Sequence, residues 1–571
     1  MPGVIAALVA NADGWMIQLL DDDATPSGPA TSSSDAASLA QIEGAHQPRW
    51  LWNSTATVYP TLLAAGVTVE RCIDVTLTER ILLARAGRYG EPASVPAILA
   101  RRDALPAPAD ADDSSGPDEL TLFGPQQAKR LEVTLGQLTA AHADQRLRLP
   151  ALAGSPAGER IDVDPGALRL LIAAESASAL VAVEMGFIGM PWRPDVHDAI
   201  LVDLLGPRPP AGERPTAMAA LAGEIDAAFG HPVNADSPVD LRSAFRRAGF
   251  DIATTRSWVL RGLKHPAVAP VLAYKELQRL HTANGWSWLG QWVRDGRFRA
   301  DYVPGGVVSG RWATRGGGAL QIPKVVRRAV VAEAGYRLVV ADAAQLEPRV
   351  LIAESGDERL AELAAADDLY TALAAVGFSG QRAKAKVAML GLMYGQTSGE
   401  AAALLATLRA HFPVAMEYLE RAARRGEQGR LVSSVLGRAS HRPGADWQET
   451  VLAGAGPDAT PAQERRARQV ARAWGRFTRN FVIQASAADW AAVWLSCLRR
   501  ELRAAAPAAE LVFFQHDELM VHVPLADAAR VADLVVAAAA EAGRLVFPHA
   551  APGWRIPVVP MIVGCYADAA H

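Results

Sequence analysis

The chain has 571 residues, half of them hydrophobic and 21% charged, with a formal net charge of −4. This composition excludes a disordered or fibrous chain and a globally basic nucleic-acid binder, and the length exceeds one ordinary domain. Three widely separated cysteines, Cys72, Cys497 and Cys565, match no zinc spacing and exclude a disulfide scaffold.

Residues 4–9 and 15–20 read as two strands joined at Asp13-Gly14. Pro26 to Ala37 is rich in Ser, Ala and Pro and reads as a loop or linker. Trp50 to Ser54 and Val67 to Val75 read as strands, each followed by an Ala/Leu-rich helical stretch. This alternation predicts an α/β layer of about 180 residues. Asp103 to Asp118 is a low-complexity loop. From Ala174 to about Leu280 the apolar spacing predicts mostly helix. Gly454 to Pro461 reads as a further loop, and no internal repeat is found. The N-terminus lacks the basic region of a secretory leader, and no stretch approaches a spanning helix free of charges. A cytoplasmic location without a membrane partner is expected.

The chemistry concentrates in the C-terminal half. Arg337 to Ala341 is a short apolar strand ending in Asp342. A carboxylate just beyond a buried strand suits a divalent cation, and equally suits the start of the helix that follows. Ser379 to Gly395 reads as a helix begun by Ser379 or Gly380. On it Arg382, Lys386, Leu390 and Tyr394 recur every four residues, forming one shallow stripe. Cation, cation, apolar, aromatic suits a nucleoside triphosphate, and is also what an amphipathic helix with a basic edge looks like. Lys384 falls off the stripe and reads as a solvated charge. Finally, two apolar runs flank His516-Asp517-Glu518, predicting a tight hairpin with two adjacent carboxylates at its tip. Such acids repel each other unless a cation lies beside them. Two metal ions roughly 3.5–4 Å apart can activate a nucleophile and stabilise a leaving oxygen.

Asp342 with Gln345-Leu346-Glu347 and Arg349, then Arg382…Lys386…Leu390…Tyr394-Gly395, then His516-Asp517-Glu518 resemble motifs A, B and C of the family A (DNA polymerase I-like) DNA polymerases. Ser309-Gly310-Arg311 with Leu320-Gln321-Ile322-Pro323 resembles the primer–template segment before motif A. Arg476, Asn480 and Gln484, followed by Ala487-Ala488-Asp489, resemble the template-contacting helix before motif C. The resemblance covers roughly residues 180–571 and implies a DNA-directed DNA polymerase. Its fold class is α/β plus α+β multidomain: a right hand of thumb, palm and fingers preceded by an RNase H-like, exonuclease-type α/β domain. The implied domains are 1–178 (exonuclease-like), 179–300 (thumb), 301–350 with 476–571 (palm) and 351–475 (fingers).

By the same resemblance, Asp342 and Asp517 hold two Mg²⁺ ions, with Mn²⁺ as a substitute, and Glu518 supports them. Arg382 and Lys386 take the triphosphate, and Lys386 is the general acid to pyrophosphate. Gln345, Glu347, Leu390, Tyr394 and His516 complete the dNTP site, Glu347 as the gate against a ribose 2′-OH. Arg311, Gln321, Arg476, Asn480 and Gln484 contact primer–template DNA. A monomer working in replication or repair, at the bacterial nucleoid, is implied. The chain departs from the pattern at Ala343-Ala344, at Pro348 (expected to end or bend its helix), at Leu390 and at Arg315-Gly316-Gly317-Gly318 (expected to be flexible).

The N-terminal layer departs further. Asp74 resembles the second acid of the family's 3′–5′ exonuclease, but the strand Val4 to Ala10 carries no acid. The third motif falls at Ile172 to Ser176, with Ile and Ser where Tyr and Asp are usual. Asp21-Asp22-Asp23 reads as a solvated turn. One carboxylate cannot assemble a two-metal site, so a degenerate exonuclease domain is expected, with no 5′-nuclease domain before it. Two other readings stay open: a primer–template-binding protein with weak synthesis, and a polymerase with residual 3′–5′ exonuclease activity.

Overall fold

The computed structural model describes residues 4–11, 14–110, 132–154, 163–210, 212–395 and 400–569. The loop residue Asp13 and residues 111–118 of the expected low-complexity loop lie outside them. The chain divides into two compact units. The larger comprises residues 1–187, 301–315 and 339–562, and the smaller 188–300, 316–338 and 563–571.

The larger unit begins with a five-stranded sheet. β1 (Ile5–Asn11) pairs antiparallel with β2 (Gly14–Leu20), and β2 with β3 (Thr31–Ser33). After α1 (Ala36–His46), β4 (Arg49–Trp52) adds parallel to β1. After α2 (Thr55–Ala64), β5 (Arg71–Asp74) adds parallel to β4, and α3 (Val75–Arg85) follows. Strict alternation fills both faces. Ala6, Leu8, Trp50 and Trp52 pack with Tyr59 of α2. Ile5, Ala7, Val9 and Leu51 pack with Leu138 and Ala141 of the other face. That second face is covered by α4 (Val95–Arg102) and α5 (Leu135–Ala153). The expected loop from Pro26 to Ala37 instead contains β3 and the first turn of α1. Its Ser and Thr residues suit a short edge strand, and Asp35 caps α1 through Ala37 N.

Helix α6 (Pro165–Ile188) leaves this layer, and the boundary expected at residue 178 falls inside it. The smaller unit then pairs β6 (Met190–Pro191) in a ribbon and carries α7 (Pro194–Leu205), α8 (Thr216–Phe229), α9 (Pro238–Arg247), α10 (Ser257–Leu260), α11 (Val268–Asn284) and α12 (Trp286–Trp292). The ribbon is completed by β7 (Val293–Arg294) and β8 (Arg297–Phe298). The glycines expected to be flexible are pinned here. Gly316, Gly317 and Gly318 all have left-handed backbones, and side chains on the first two would strike the ring of Trp292. Gly317 also accepts from Trp288 Nε1 at 2.7 Å. Close aromatic packing accounts for Gly316 and Gly317, and the left-handed backbone for Gly318.

In the larger unit, β9 (Tyr302–Val303) and β10 (Ala313–Thr314) form a small hairpin. β11 (Tyr336–Asp342) lies inside a four-stranded sheet completed by β12 (Glu510–Gln515), β13 (Glu518–Pro524) and β14 (Met561–Val563), in the order β12-β13-β11-β14. Between them run α13 (Leu346–Ser355), α14 (Glu358–Ala364), α15 (Leu369–Gly377), α16 (Arg382–Tyr394), α17 (Glu400–His411), α18 (Pro413–Glu427), α19 (Ala445–Ala455) and α20 (Pro461–Ala505). Helix α21 (Ala528–Val546) follows β13. Pro348 sits in the first turn of α13, where its missing N–H has no partner to lose, so the helix continues through it.

The 45-residue α20 opens on a capping box, Thr460 with Gln463 and Pro461 at its first position. The loop expected over Gly454 to Pro461 is therefore shorter, spanning residues 456–460 between α19 and α20. The palm boundary expected at residue 476 falls within α20. α6 and α20 are each long and apolar enough to cross a membrane, although neither is free of charges, α6 carrying Glu175 and Glu184 and α20 carrying Asp489. Their most apolar windows are instead 56% and 89% buried within the fold, which is why their apolar residues surround the helix. Arg499 of α20 donates to Glu184 of α6 at 2.7 and 2.8 Å, to Val69 O at 2.5 Å and to Glu70 O at 2.9 Å. Arg438 donates to Glu175 of α6 at 2.7 Å and to Asp489 of α20 at 2.8 Å.

Candidate active site

Leu338, Val339, Val340 and Ala341 of β11 are fully buried, and Asp342 emerges at the strand end. Beside it the β12–β13 hairpin turns through two residues, His516 and Asp517, because Gln515 pairs with Glu518. His516 takes a left-handed φ of 60°, as the first position of a tight primed turn requires. Ala343 N donates to Asp517 O at 2.8 Å, which docks the hairpin tip on the end of β11. The two predicted carboxylates thus come together. Burial first, and the negative charge of Asp342 second, push the Asp517 carboxyl up to about 7. Such a pair suits a divalent cation, whose charge would remove that repulsion. Glu518 is not at the tip as expected: it begins β13 and is 8% exposed.

The stripe on α16 also forms. Ser379 and Gly380 do not begin this helix; both have left-handed backbones in the preceding turn, and Gln381 takes the cap position. Arg382, Lys386 and Tyr394 are exposed and Leu390 is half-buried. Lys386 makes no hydrogen bond or ion pair among the described residues. Arg382 is engaged: its Nε donates to Asp368 at 2.6 Å. The same carboxylate accepts from Gln345 Nε2 at 2.7 Å and from Thr371 at 2.6 Å. Burial would raise Asp368, but these bonds outweigh it and hold the carboxyl down at about 2. Gln345 is the left-handed cap of α13, and its Oε1 accepts from Leu369 N at 2.9 Å. Glu347, in the first turn of α13, accepts from Arg311 on one oxygen and from Tyr394 O–H at 2.8 Å on the other.

Arg311, Asn480, Gln484 and His516 line one cavity of about 350 Å³, walled by Phe477 and Phe481. The buried Asn480 Oδ1 and His516 Nδ1 have no hydrogen-bond partner. Burial, then Arg311, lowers the pKa of His516, so it is neutral at pH 7. Arg476 is exposed one turn earlier, its Cγ 3.1 Å from where a Cβ on Gly395 would sit. Gln321 ends a 3₁₀ turn, Ala319–Gln321, of the smaller unit.

The sequence profile of DNA polymerase family A matches residues 212–551. The chain belongs to DNA polymerase family A. The thermostable DNA polymerase I of Thermus filiformis is 28% identical over 54% of this chain and 39% of its own length. The DNA polymerase I of Mycobacterium tuberculosis is 27% identical over 48% of this chain and 31% of its own. The chain thus spans about two-fifths of the length of its first relatives, or less. Among solved structures, the polymerase domain of Pol1 from M. smegmatis, in complex with DNA primer-template and dNTP, shares the fold. Its TM-score is 0.70 at 18% identity, covering 100% of this chain and 96% of that one. The expected fold class, a right-hand polymerase after an α/β layer, is the one this family A member has.

Within that α/β layer, Asp74 is a buried N-cap. It accepts from Thr55 N at 2.6 Å and Leu77 N at 2.8 Å, and its own N–H donates to Ser176 Oγ at 3.2 Å. The candidate second and third exonuclease motifs therefore meet, Asp74 against Ser176, while Glu175 of the third is engaged by Arg438. No group of three or more metal-binding side chains occurs among the described residues.

Sequence reasoning missed Asp368, although an Asp directly before an apolar helix is a capping signal. It also missed the Glu175–Arg438–Asp489 cluster, whose members lie too far apart in sequence to be paired by spacing.

Proposed function

We propose that this chain is a template-directed DNA polymerase that adds dNTPs to a primer 3′-OH and releases pyrophosphate. The observation that carries this is the docking of Asp517 beside Asp342, with the basic stripe of α16 and the Arg311–Asn480–Gln484–His516 cavity in the same unit. Asp342 and Asp517 would hold Mg²⁺, or Mn²⁺ in its place, with Glu518 as a buried support. Divalent ions held by these two carboxylates would supply the positive charge that activates the 3′-OH and neutralises the triphosphate. Lys386 and Arg382 grip the phosphates, and Lys386 gives a proton to the leaving pyrophosphate. Arg382 must first leave Asp368. Glu347, fixed by Arg311 and Tyr394, blocks a ribose 2′-OH. Leu390 packs against the sugar, Tyr394 lies by the templating base, and Gln345 orients the motif A turn. Arg311, Gln321, Arg476, Asn480 and Gln484 hold primer and template, and His516 orients the primer end.

In this reading residues 179–300 are the thumb, 301–350 with 476–571 the palm, and 351–475 the fingers. Residues 1–178 are an exonuclease-like layer without proofreading. The enzyme is a monomer acting on cytoplasmic DNA in replication or repair. Primer extension with Mg²⁺ and four dNTPs tests it. Extension is expected, and Asp342→Ala and Asp517→Ala should each abolish it. Tight primer–template binding with no extension at any metal concentration would replace the enzyme with a binding protein. Removal of a mismatched 3′ terminus, lost in Asp74→Ala, would restore proofreading to the N-terminal layer.

A further inference from the structure

Asp368, the acid that Arg382 meets, is held from several sides. One carboxylate oxygen accepts from Arg382 Nε at 2.6 Å and from Thr371 Oγ1 at 2.6 Å. The other accepts from Gln345 Nε2 at 2.7 Å and from Tyr370 N at 3.1 Å. The guanidinium also lies over the ring of Tyr370, 5.6 Å from its centre. Burial works against ionisation, but the bonds from Arg382 and Thr371 outweigh it, so the carboxyl stays at about 2 and is charged at neutral pH.

The support under Asp368 is firm. Arg349, fully buried, donates to Ala364 O and Ala366 O at 2.7 Å and to Asp367 O at 3.0 Å. Arg555 meets the Asp367 carboxylate at 2.7 Å. Gln345 is used at both ends, since its Oε1 accepts from Leu369 N at 2.9 Å. The turn before α15 is thus tied to the start of α13. An anchored carboxylate does not travel with an exposed arginine side chain that swings away from it. Arg382 stands one turn before Lys386 on the basic stripe of α16. The guanidinium fork that closes on a carboxylate is the same fork that closes on a phosphate. The two anions compete for one cation, and one of them is fixed to the protein.

We propose that Asp368 is a positioning residue that stands in for a phosphate. It holds Arg382 until a polyphosphate takes the guanidinium from it, and so sets the threshold for nucleotide binding. This rests on the placement of the triphosphate along α16.

The test measures two dissociation constants: that of Mg²⁺–dNTP for the full chain on a primer–template with a dideoxy-terminated primer, and that of inorganic tripolyphosphate for the chain alone. Asp368→Asn keeps the cap of α15, because Asn ranks with Asp there, and removes the charge. It should tighten both ligands about two- to fivefold, the range open to an exposed ion pair, with unchanged thermal unfolding. Asp368→Ser, which also caps, should give the same gain. In an Arg382→Ala background the gain should vanish, since no guanidinium is left to compete for. Unchanged or weaker binding in Asp368→Asn would overturn the proposal. So would an equal gain with and without Arg382, the mark of a general field effect, or a lower unfolding temperature with no coupling to Arg382, the mark of a purely structural cap. Primer extension by the unaltered chain separates this proposal from the polymerase reading. Extension without the Asp368→Asn gain removes the proposal alone. The gain on tripolyphosphate in a chain that extends no primer removes the polymerase reading alone, and no saturable binding of either ligand removes both.

Discussion

Lys386 and Lys384 make a controlled pair. Both are exposed on α16, two residues apart, and so point to different sides of the helix. Neither has a partner among the described residues, so replacing either by Met should leave stability within about 0.5 kcal/mol. Lys386 lies on the stripe. Losing one charge-assisted bond to a phosphate costs about 1.5–3 kcal/mol, or roughly 13- to 160-fold in incorporation efficiency. Lys384→Met should stay within about twofold, as surface substitutions do. Arg382 should fall between them. Its exposed pair with Asp368 at 2.6 Å must be given up before it meets a phosphate, and such pairs are worth about 0–1 kcal/mol. The expected order of loss is therefore Lys386, Arg382, Lys384. Rapid-quench measurement of single-nucleotide incorporation, as rate over dNTP dissociation constant, reads it directly. Equal losses for the two lysines, or a larger loss at Lys384, would refute the placement of the triphosphate along this stripe.

Glu347→Ala should raise ribonucleotide incorporation in a primer-extension assay with rNTPs; unchanged selectivity would remove Glu347 from the gate. Burial, offset in part by bonds from Ser486 and Tyr418, pushes the Glu354 carboxyl up to about 7. The folded chain then keeps a proton that the unfolded chain releases above about 4.3. This contribution to stability is present below that pH and lost as pH rises to about 7, so Glu354→Gln should flatten the slope of urea stability across that window. Asp74→Ala removes a cap and strands the buried Thr55 N–H, and should cost about 2–4 kcal/mol in the same urea assay. A neutral result would show that Asp74 is not structural.

The candidate site residues were legible because their local patterns are short. Asp342 follows an unbroken apolar run, the hairpin tip has apolar runs on both sides, and the stripe on α16 needs only a period of four. The register of the hairpin was less legible. Whether Glu518 shares the tip depends on a two-residue turn with a left-handed histidine, and His is not a residue that announces one. Pro348 and the glycines after Arg315 misled for a common reason. Their effect depends on position within a turn of helix or against a ring, and composition does not carry position. Asp368, Glu175 and Arg438 act through partners set by tertiary packing, 14 residues away for Arg382 and 263 for the Glu175–Arg438 pair.

That packing bears on how short a working fragment can be made. Glu184, Val69 and Glu70 surround the guanidinium of Arg499, and Glu175 meets Arg438, all from residues that precede 188. Cutting the chain there would take Glu184 from Arg499, a loss of about 3–5 kcal/mol, and would leave Arg438 with Asp489 as its one remaining counter-charge of the two described. The same helix that carries Arg499 also carries Asn480 and Gln484. The N-terminal layer is thus the footing of the helix that carries Asn480 and Gln484, and a shortened form of this chain has to keep it.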